Sequence, residues 1–307
     1  MKLTKVLICD QFDKAGMELL KKGSIEVDYK PSITPEELKA VIGGYDGVIV
    51  RSRTKVRQDV ISLASRLKVI GRAGVGLDNI DLKAAEARNI KVVNAPEALT
   101  NAVAELIIGD MIALVRDIYK ATSTMKSGVW AKAELMGSEL SGKTLGVVGF
   151  GRIGRSVARI AKAMNMKILA YDVIPIDEKT RNELGVQQKD LLSVIKEADF
   201  ITLHVPASPE TKHLINREKL GLMKRNAYLI NASRGDVVDQ EDLVQALKTG
   251  LIKGAALDVY EVEPPTNKEL LSLANVILTP HIGGETTEAQ LAAATITAQK
   301  VLDVLSG

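Results

Sequence analysis

The sequence predicts an α/β protein built from two doubly wound parallel sheets, and three observations carry that prediction. Short apolar runs of strand length alternate with helical patterns along the chain, the arrangement that gives parallel strands joined by crossover helices. One such strand breaks at Gly149-Phe-Gly151-Arg152-Ile153-Gly154, and a helical pattern follows at once. Six successive segments in the second half end in glycine-rich or polar residues, at the edge where open α/β sheets bind ligands.

In the first hundred residues the strand signals are Lys5 to Cys9, Glu26 to Tyr29, Gly47 to Val50, Leu67 to Ile70 and Lys91 to Val93. A helix is expected from Pro35 after Thr34, because threonine caps, proline suits the first turn and Glu36 and Glu37 suit the dipole. Arg51-Ser52-Arg53 follows one strand and Arg72-Ala-Gly74-Val75-Gly76 follows the next. The guanidinium groups are therefore expected at strand ends, and the glycines can offer consecutive N–H groups to an anion. Solvated surface charge is the plain alternative for each arginine. Arg72 to Gly76 is not a second dinucleotide turn, since the position of a third glycine holds Asn79.

From Ala98 to about Lys126 the chain reads as one long helix between domains, or as two helices breaking at Gly109. Trp130 follows in a loop, at a subunit contact or in a satellite core. Gly137 to Thr144 matches a phosphate-loop pattern letter by letter. It precedes a strand and opens no helix, so nucleoside triphosphate binding is not expected there.

Leu145 to Phe150 is the strand that leads into the glycine turn. Gly149 permits the tight turn, Gly151 lets a pyrophosphate approach the backbone, and Gly154 lets helix and strand pack closely. Ile153, Val157, Ile160, Ala161 and Met164 recur at helical spacing and predict the packed face of the helix. The strand Lys167 to Tyr171 ends at Asp172, 18 residues past Gly154, where a carboxylate accepts from ribose hydroxyls and repels a 2′-phosphate. This pattern predicts dinucleotide binding, with NAD preferred over NADP.

The later strand ends carry His204-Val205-Pro206, Asn231-Ala232-Ser233-Arg234-Gly235, Asp258 and Thr279-Pro-His281. Of the three histidines, His213 reads as structural, and His204 is expected to line the cofactor pocket. His281 precedes Gly283-Gly284 and a helix start in which Thr287 and Gln290 are spaced as a capping box. Hydride transfer from a 2-hydroxy acid needs a cation for the carboxylate, a base for the hydroxyl proton and an acid that stabilises the charged base. Arg234, His281 and Glu263 can fill these roles, although a surface glutamate before Pro264-Pro265 is the alternative for Glu263.

Composition sets the outer limits. At 307 residues the chain can bury two cores. Charged residues make up 26% and the net charge is +3, with the charges interspersed, so no field recruits nucleic acid or an anionic membrane. Cys9 is the only cysteine, which excludes an internal disulfide and an all-cysteine metal site, and no metal is expected. A cytoplasmic setting is the simplest expectation. The start reads as a strand and not a signal peptide, and no run of about 18 apolar residues suggests a membrane span.

Five motifs in order carry a resemblance that spans nearly the whole chain: Arg72 to Asp81, Gly149 to Gly154, Asn231 to Gly235, Leu257 to Pro264 and Thr279 to Gly284. Together they resemble the D-isomer-specific 2-hydroxyacid dehydrogenases. The resemblance implies that Arg234 binds substrate carboxylate and carbonyl, that Glu263 supports the histidine, and that His281 is the acid/base. It implies an NAD site formed by Arg152, Ile153, Asp172, Val205, Ala232, Ser233, Asp258 and the His281 loop, with Val75 near the nicotinamide. It further implies a Rossmann domain, residues 98–284, inserted into a flavodoxin-like substrate domain, residues 1–97 with the C-terminal helix 285–307, and a homodimer or dimer-based oligomer.

Arg51, Arg53 and Arg72 suit a phosphate-bearing acid, because arginine forks match phosphate oxygens. The expected reaction is therefore oxidation of 3-phosphoglycerate to 3-phosphohydroxypyruvate. Reduction of glyoxylate or hydroxypyruvate is the alternative within the class, and a dinucleotide-sensing binding protein is the alternative outside it. Since the sequence runs 26 residues past His281, feedback through an added regulatory domain is not expected.

Overall fold

The computed structural model describes residues 4–307. Its first part runs β1 (Lys5–Ile8), α1 (Lys14–Lys22), β2 (Glu26–Tyr29), α2 (Pro35–Val41), β3 (Gly47–Val50), α3 (Gln58–Leu63), β4 (Val69–Arg72), α4 (Leu82–Ala87) and β5 (Lys91–Asn94). The middle adds α5 (Thr100–Val115), α6 (Ile118–Lys126), β6 (Thr144–Val148), α7 (Arg152–Ala163), β7 (Lys167–Tyr171), α8 (Glu178–Leu184), β8 (Val186–Gln188) and α9 (Leu191–Glu197). The last part is β9 (Phe200–Leu203), α10 (Arg217–Leu222), β10 (Tyr228–Asn231), α11 (Gln240–Lys248), β11 (Gly254–Leu257), α12 (Lys268–Ser272), β12 (Val276–Leu278) and α13 (Thr287–Ser306).

The chain divides into two units, one formed by the residues up to Ala102 with Gly284–Gly307, the other by Val103–Gly283. In the first unit five parallel strands run β2-β1-β3-β4-β5, the flavodoxin-like order. Both faces are covered, and the strands show why. Leu7, Val48, Val50 and Ile70 pack with Leu38, Ile42 and Ile61 on one side, while Val6, Ile8, Ile49 and Val69 pack with Ala294, Ala298 and Val301 of α13 on the other. Alternate residues are thus all apolar, as a doubly covered parallel sheet requires. A Cβ on Gly71 would lie 2.8 Å from Val301 and 2.9 Å from Thr297, so α13 lies too close to β4 there for any side chain.

The second unit has seven parallel strands in the order β12-β11-β10-β9-β6-β7-β8. Chain direction across the sheet reverses between β6 and β9, the crevice where a Rossmann sheet binds its ligand. The predicted class, two parallel-sheet α/β layers, is the class observed. In α7 the buried stripe is Gly154, Val157, Ala158 and Ala161, and Ile153, Ile160 and Met164 are only half-buried.

Three local expectations are corrected. The stretch from Ala98 is neither one helix nor broken at Gly109: it breaks after Val115, where Asp117 takes a left-handed φ of 46° that aspartate tolerates better than most residues. Gly109 lies inside α5, and nothing stands within 4 Å of a Cβ placed on it. The cap of α13 is Thr286, not Thr287. Thr286 is extended and accepts from the Ala289 N–H, while the Gln290 amide donates to the Gly284 carbonyl at 2.7 Å instead of accepting from a cap N–H. The strand expected at Leu67 starts at Val69, the residue paired with Gly47 at the start of β3.

Candidate active site

The glycine turn after β6 is shaped as its residue types require. Gly149 has φ 93°, and a Cβ there would lie 2.8 Å from the His204 carbonyl group. A Cβ on Gly154 would lie 2.3 Å from the Gly149 oxygen, whereas the space beside Gly151 is open. No side chain caps α7, so the N–H groups at its start keep their capacity for an anion such as a pyrophosphate. Asp172 braces the same turn: one carboxylate oxygen accepts from the Phe150 N–H at 2.6 Å and the other from the Ile174 N–H at 2.8 Å. Each oxygen retains a further acceptor site of the kind a ribose hydroxyl uses. Arg152 and Ile153 form the first turn of α7, and Val205 and Pro206 follow β9.

His204 packs into this region with Nε2 3.0 Å from the Thr202 hydroxyl. Burial pushes its imidazole down to about 3, which makes it a neutral wall and no proton donor near neutrality.

At the ends of β10, β11 and β12 three loops interlock. Asn231 accepts from the Ser233 N–H (3.1 Å) and hydroxyl (2.8 Å) and donates to the Arg234 carbonyl at 2.8 Å, fixing the loop that carries Arg234. The Arg234 guanidinium donates to the Ser233 carbonyl at 2.6 Å. A Cβ on Gly235 would meet the Tyr260 carbonyl at about 2 Å, so only glycine lets the Arg234 loop abut the segment leading to Glu263. The Tyr260 hydroxyl in turn lies 2.9 Å from the Thr279 carbonyl, beside His281.

His281 Nδ1 lies 3.0 and 3.1 Å from the two Glu263 carboxylate oxygens. An ionised carboxylate only accepts, so Nδ1 carries the proton and Nε2 presents a lone pair. The imidazole is about half exposed, at 49%. Its backbone is left-handed at φ 55°, and Asp258 holds that conformation from both sides, accepting from Thr279 Oγ1 (2.7 Å), Ile282 N (2.7 Å) and Gly283 N (2.8 Å). Burial and the nearby Asp258 charge push the Asp110 carboxyl of α5 up to about 7. The parts played by Tyr260, Thr279 and Asp110 leave no local trace in the sequence: Tyr260 and Thr279 bond partners 19 and 21 positions away, and Asp110 meets the Asp258 charge only in the fold, whereas the two-residue reach of Asn231 to Ser233 is a recognisable Asx motif.

In the first unit, Arg51 and Arg53 flank Ser52 after β3, and Arg72 ends β4. Gly74 has φ 142°, and a Cβ there would overlap the Arg72 Nη1 at 1.6 Å, so the guanidinium lies across the glycine. Asn94 donates to the Val75 carbonyl at 2.6 Å, and Gly76 completes the loop. Arg53 is less available than its sequence position suggests: it donates to the carbonyls of Cys9 (2.5 Å), Pro31 (3.0 Å) and Ile33 (3.0 Å) and pairs with Asp10 at 3.0 Å. Gly284 belongs to this unit, and a Cβ there would lie 2.9 Å from Leu99. No cluster of metal-ligating side chains occurs among the described residues.

Residues 108–283 match the family model "D-isomer specific 2-hydroxyacid dehydrogenase, NAD binding domain". The chain belongs to that family. It is similar to the D-3-phosphoglycerate dehydrogenase of Methanocaldococcus jannaschii, 48% identical over 99% of this chain and 58% of that protein. It is also similar to the hydroxypyruvate reductase of Thermotoga maritima, 46% identical over 93% of both. Among solved structures the TT0316 protein of Thermus thermophilus superposes with a TM-score of 0.91 at 35% identity, over 99% of this chain and 97% of that one. The chain spans a little over half the length of the phosphoglycerate dehydrogenases it matches. The matched family domain is an NAD-binding domain, and among the described residues no helix is long and apolar enough to cross a membrane.

Proposed function

We propose that the chain oxidises D-3-phosphoglycerate to 3-phosphohydroxypyruvate with NAD, the first step toward serine. The observation that carries this reading is the imidazole of His281 held by Glu263 through Nδ1 with Nε2 left to act, in a family member nearly half identical to phosphoglycerate dehydrogenases. Arg234 holds the substrate carboxylate and polarises the carbonyl oxygen as it forms. His281 Nε2 takes the hydroxyl proton, and Glu263 orients the ring and stabilises the imidazolium. Bound NAD supplies the hydride acceptor. In the reverse direction the same nitrogen returns the proton.

In this reading the pyrophosphate lies against the turn from Gly149 to Gly154, Asp172 reads the ribose hydroxyls, and residues 98–284 bind the cofactor. Residues 1–97 with 285–307 bind the substrate, Arg51, Arg72 and the Gly74 to Gly76 loop being its anion contacts. A reducing, cytoplasmic setting suits Cys9, the lone thiol, which is buried and pushed up to about 12.

Reduction of hydroxypyruvate is the second reading. It is favoured by the Thermotoga relative, matched along nearly its whole length, and by the bonds that occupy Arg53. A panel of D- and L-2-hydroxy acids with and without phosphate, run with NAD and with NADP, separates them. The leading reading expects kcat/KM highest for D-3-phosphoglycerate with NAD. Equal values with and without phosphate would remove it.

We further propose a homodimer joined through the NAD-binding unit. Tyr119, Met125, Val129, Trp130 and Met136 are all more than half exposed within one stretch of that unit, Trp130 at 76%, and α6 buries no side chain. Sedimentation equilibrium is expected to give twice the chain mass, and Trp130→Ser a shift toward monomer. A monomeric parent protein would refute this.

A further inference from the structure

The first unit has a cavity of about 460 Å³ where the loops after β1, β2 and β3 meet, lined by Asp10, Gln11, Ser32, Arg51, Arg53 and Glu285 among others. It lies beside the point at which strand order reverses between β1 and β3, where a flavodoxin-like sheet takes its ligand. Two guanidinium groups face two carboxylates here, and the two pairs differ in kind.

Arg53 and Asp10 are a tie between loops. The guanidinium reaches three carbonyls from the ends of β1 and β2, and buried Asp10 also accepts from the Arg51 N–H at 2.6 Å and the Thr54 hydroxyl at 2.7 Å. An incoming anion cannot take that fork without undoing four interactions, three to carbonyls and one to Asp10. Arg51 is different. Its backbone is pinned, the N–H by Asp10 and the carbonyl by the Asn79 amide at 2.7 Å, but its guanidinium forms an ion pair with Glu285 at the cavity wall. The carboxylate is the more open partner, 47% exposed against 21% for Arg51. With its carboxylate side open to solvent the pair is screened and can be displaced from that side by a competing anion.

We propose that Glu285 narrows the margin by which this site favours phosphorylated over unphosphorylated 2-hydroxy acids. Its carboxylate occupies the Arg51 fork that a substrate phosphate would take. A phosphorylated acid must displace it and then sit beside a like charge, whereas an acid with an uncharged tail leaves the pair seated. Discrimination by a repulsive group is a difference of affinities, so it raises KM for one substrate class while the chemical step stays as it is. The inference rests on the reading that Arg51 contacts substrate.

The test compares Glu285→Gln and Glu285→Ser with the parent enzyme, measuring kcat and KM for 3-phosphohydroxypyruvate and hydroxypyruvate; for an acid that is not turned over, its competitive inhibition constant replaces KM. Both variants are expected to lower KM for the phosphorylated acid roughly ten-fold relative to the unphosphorylated one, the effect of removing one like charge at short range, with kcat held within about two-fold. The gain shrinks at high ionic strength. An unchanged ratio of KM values, or equal changes for both acids, overturns the assignment. Arg51→Ala is the control: if it alters neither KM, the placement of Arg51 at the substrate has failed, and not merely the role of Glu285.

Discussion

Two histidine loops of the NAD-binding unit are built alike and are chemically unlike. His213 and His281 both sit in left-handed backbone, at φ 49° and 55°, and both face carboxylates. His213 has Nδ1 3.2 Å from Asp239 and Nε2 3.1 Å from Glu261, so both ring nitrogens are occupied. His281 spends only Nδ1, on Glu263. A ring held at both nitrogens is a strut between loops, and a ring held at one is an oriented base. The number of partners, more than the presence of an acid beside an imidazole, separates structure from chemistry.

Three substitutions test that contrast. His281→Asn, which tolerates the left-handed backbone, is expected to lower kcat by about 10² to 10⁴ while the cofactor still binds, as read by steady-state rates and by fluorescence titration with NADH. A rate within ten-fold of the parent would mean that the proton goes elsewhere. Glu263→Gln keeps the hydrogen-bonding shape and removes the charge that steadies the imidazolium. A hydrogen bond to a charged group contributes about 1.5–3 kcal/mol, so kcat is expected to fall by roughly 10- to 100-fold. No fall would reduce Glu263 to a surface residue. His213→Asn is expected to leave kcat within about two-fold and to cost about 1 kcal/mol or less in urea unfolding, since its ion pairs are partly exposed. A loss of activity as large as that of His281→Asn would dissolve the comparison.

The strand ends were legible in the sequence because every step there has a local cause. The glycine turn needs φ beyond the reach of other residues at Gly149 and a bare Cα at Gly154, and both needs leave a letter in the sequence. The capped start at Thr34 is equally local: its hydroxyl takes the Glu37 N–H, and Glu37 returns the bond. Other features were illegible for the converse reason. Glu263 and His281 are 18 residues apart, so their spacing alone leaves a surface glutamate open, and the expectation that they pair comes from the family resemblance. Arg51 and Glu285 are 234 positions apart. Arg53 looked like its neighbour Arg51 until the carbonyls around it were in place. The break at Asp117 escaped notice because glycine at 109 is the stronger written signal, yet a helix packed on several sides tolerates glycine and turns where its buried face ends.

The return of α13 to the first sheet has a consequence for synthesis. The NAD-binding unit is contiguous from Val103 to Gly283, so all of it is synthesised before Thr287 is. The older half of the molecule waits: Val6, Ile8, Ile49 and Val69 lack their cover from Ala294, Ala298 and Val301 until the last helix emerges. Of these two units the one begun earlier is therefore the one that closes later, and its bare sheet face is the surface on which a nascent chain is open to chaperones or to mispairing.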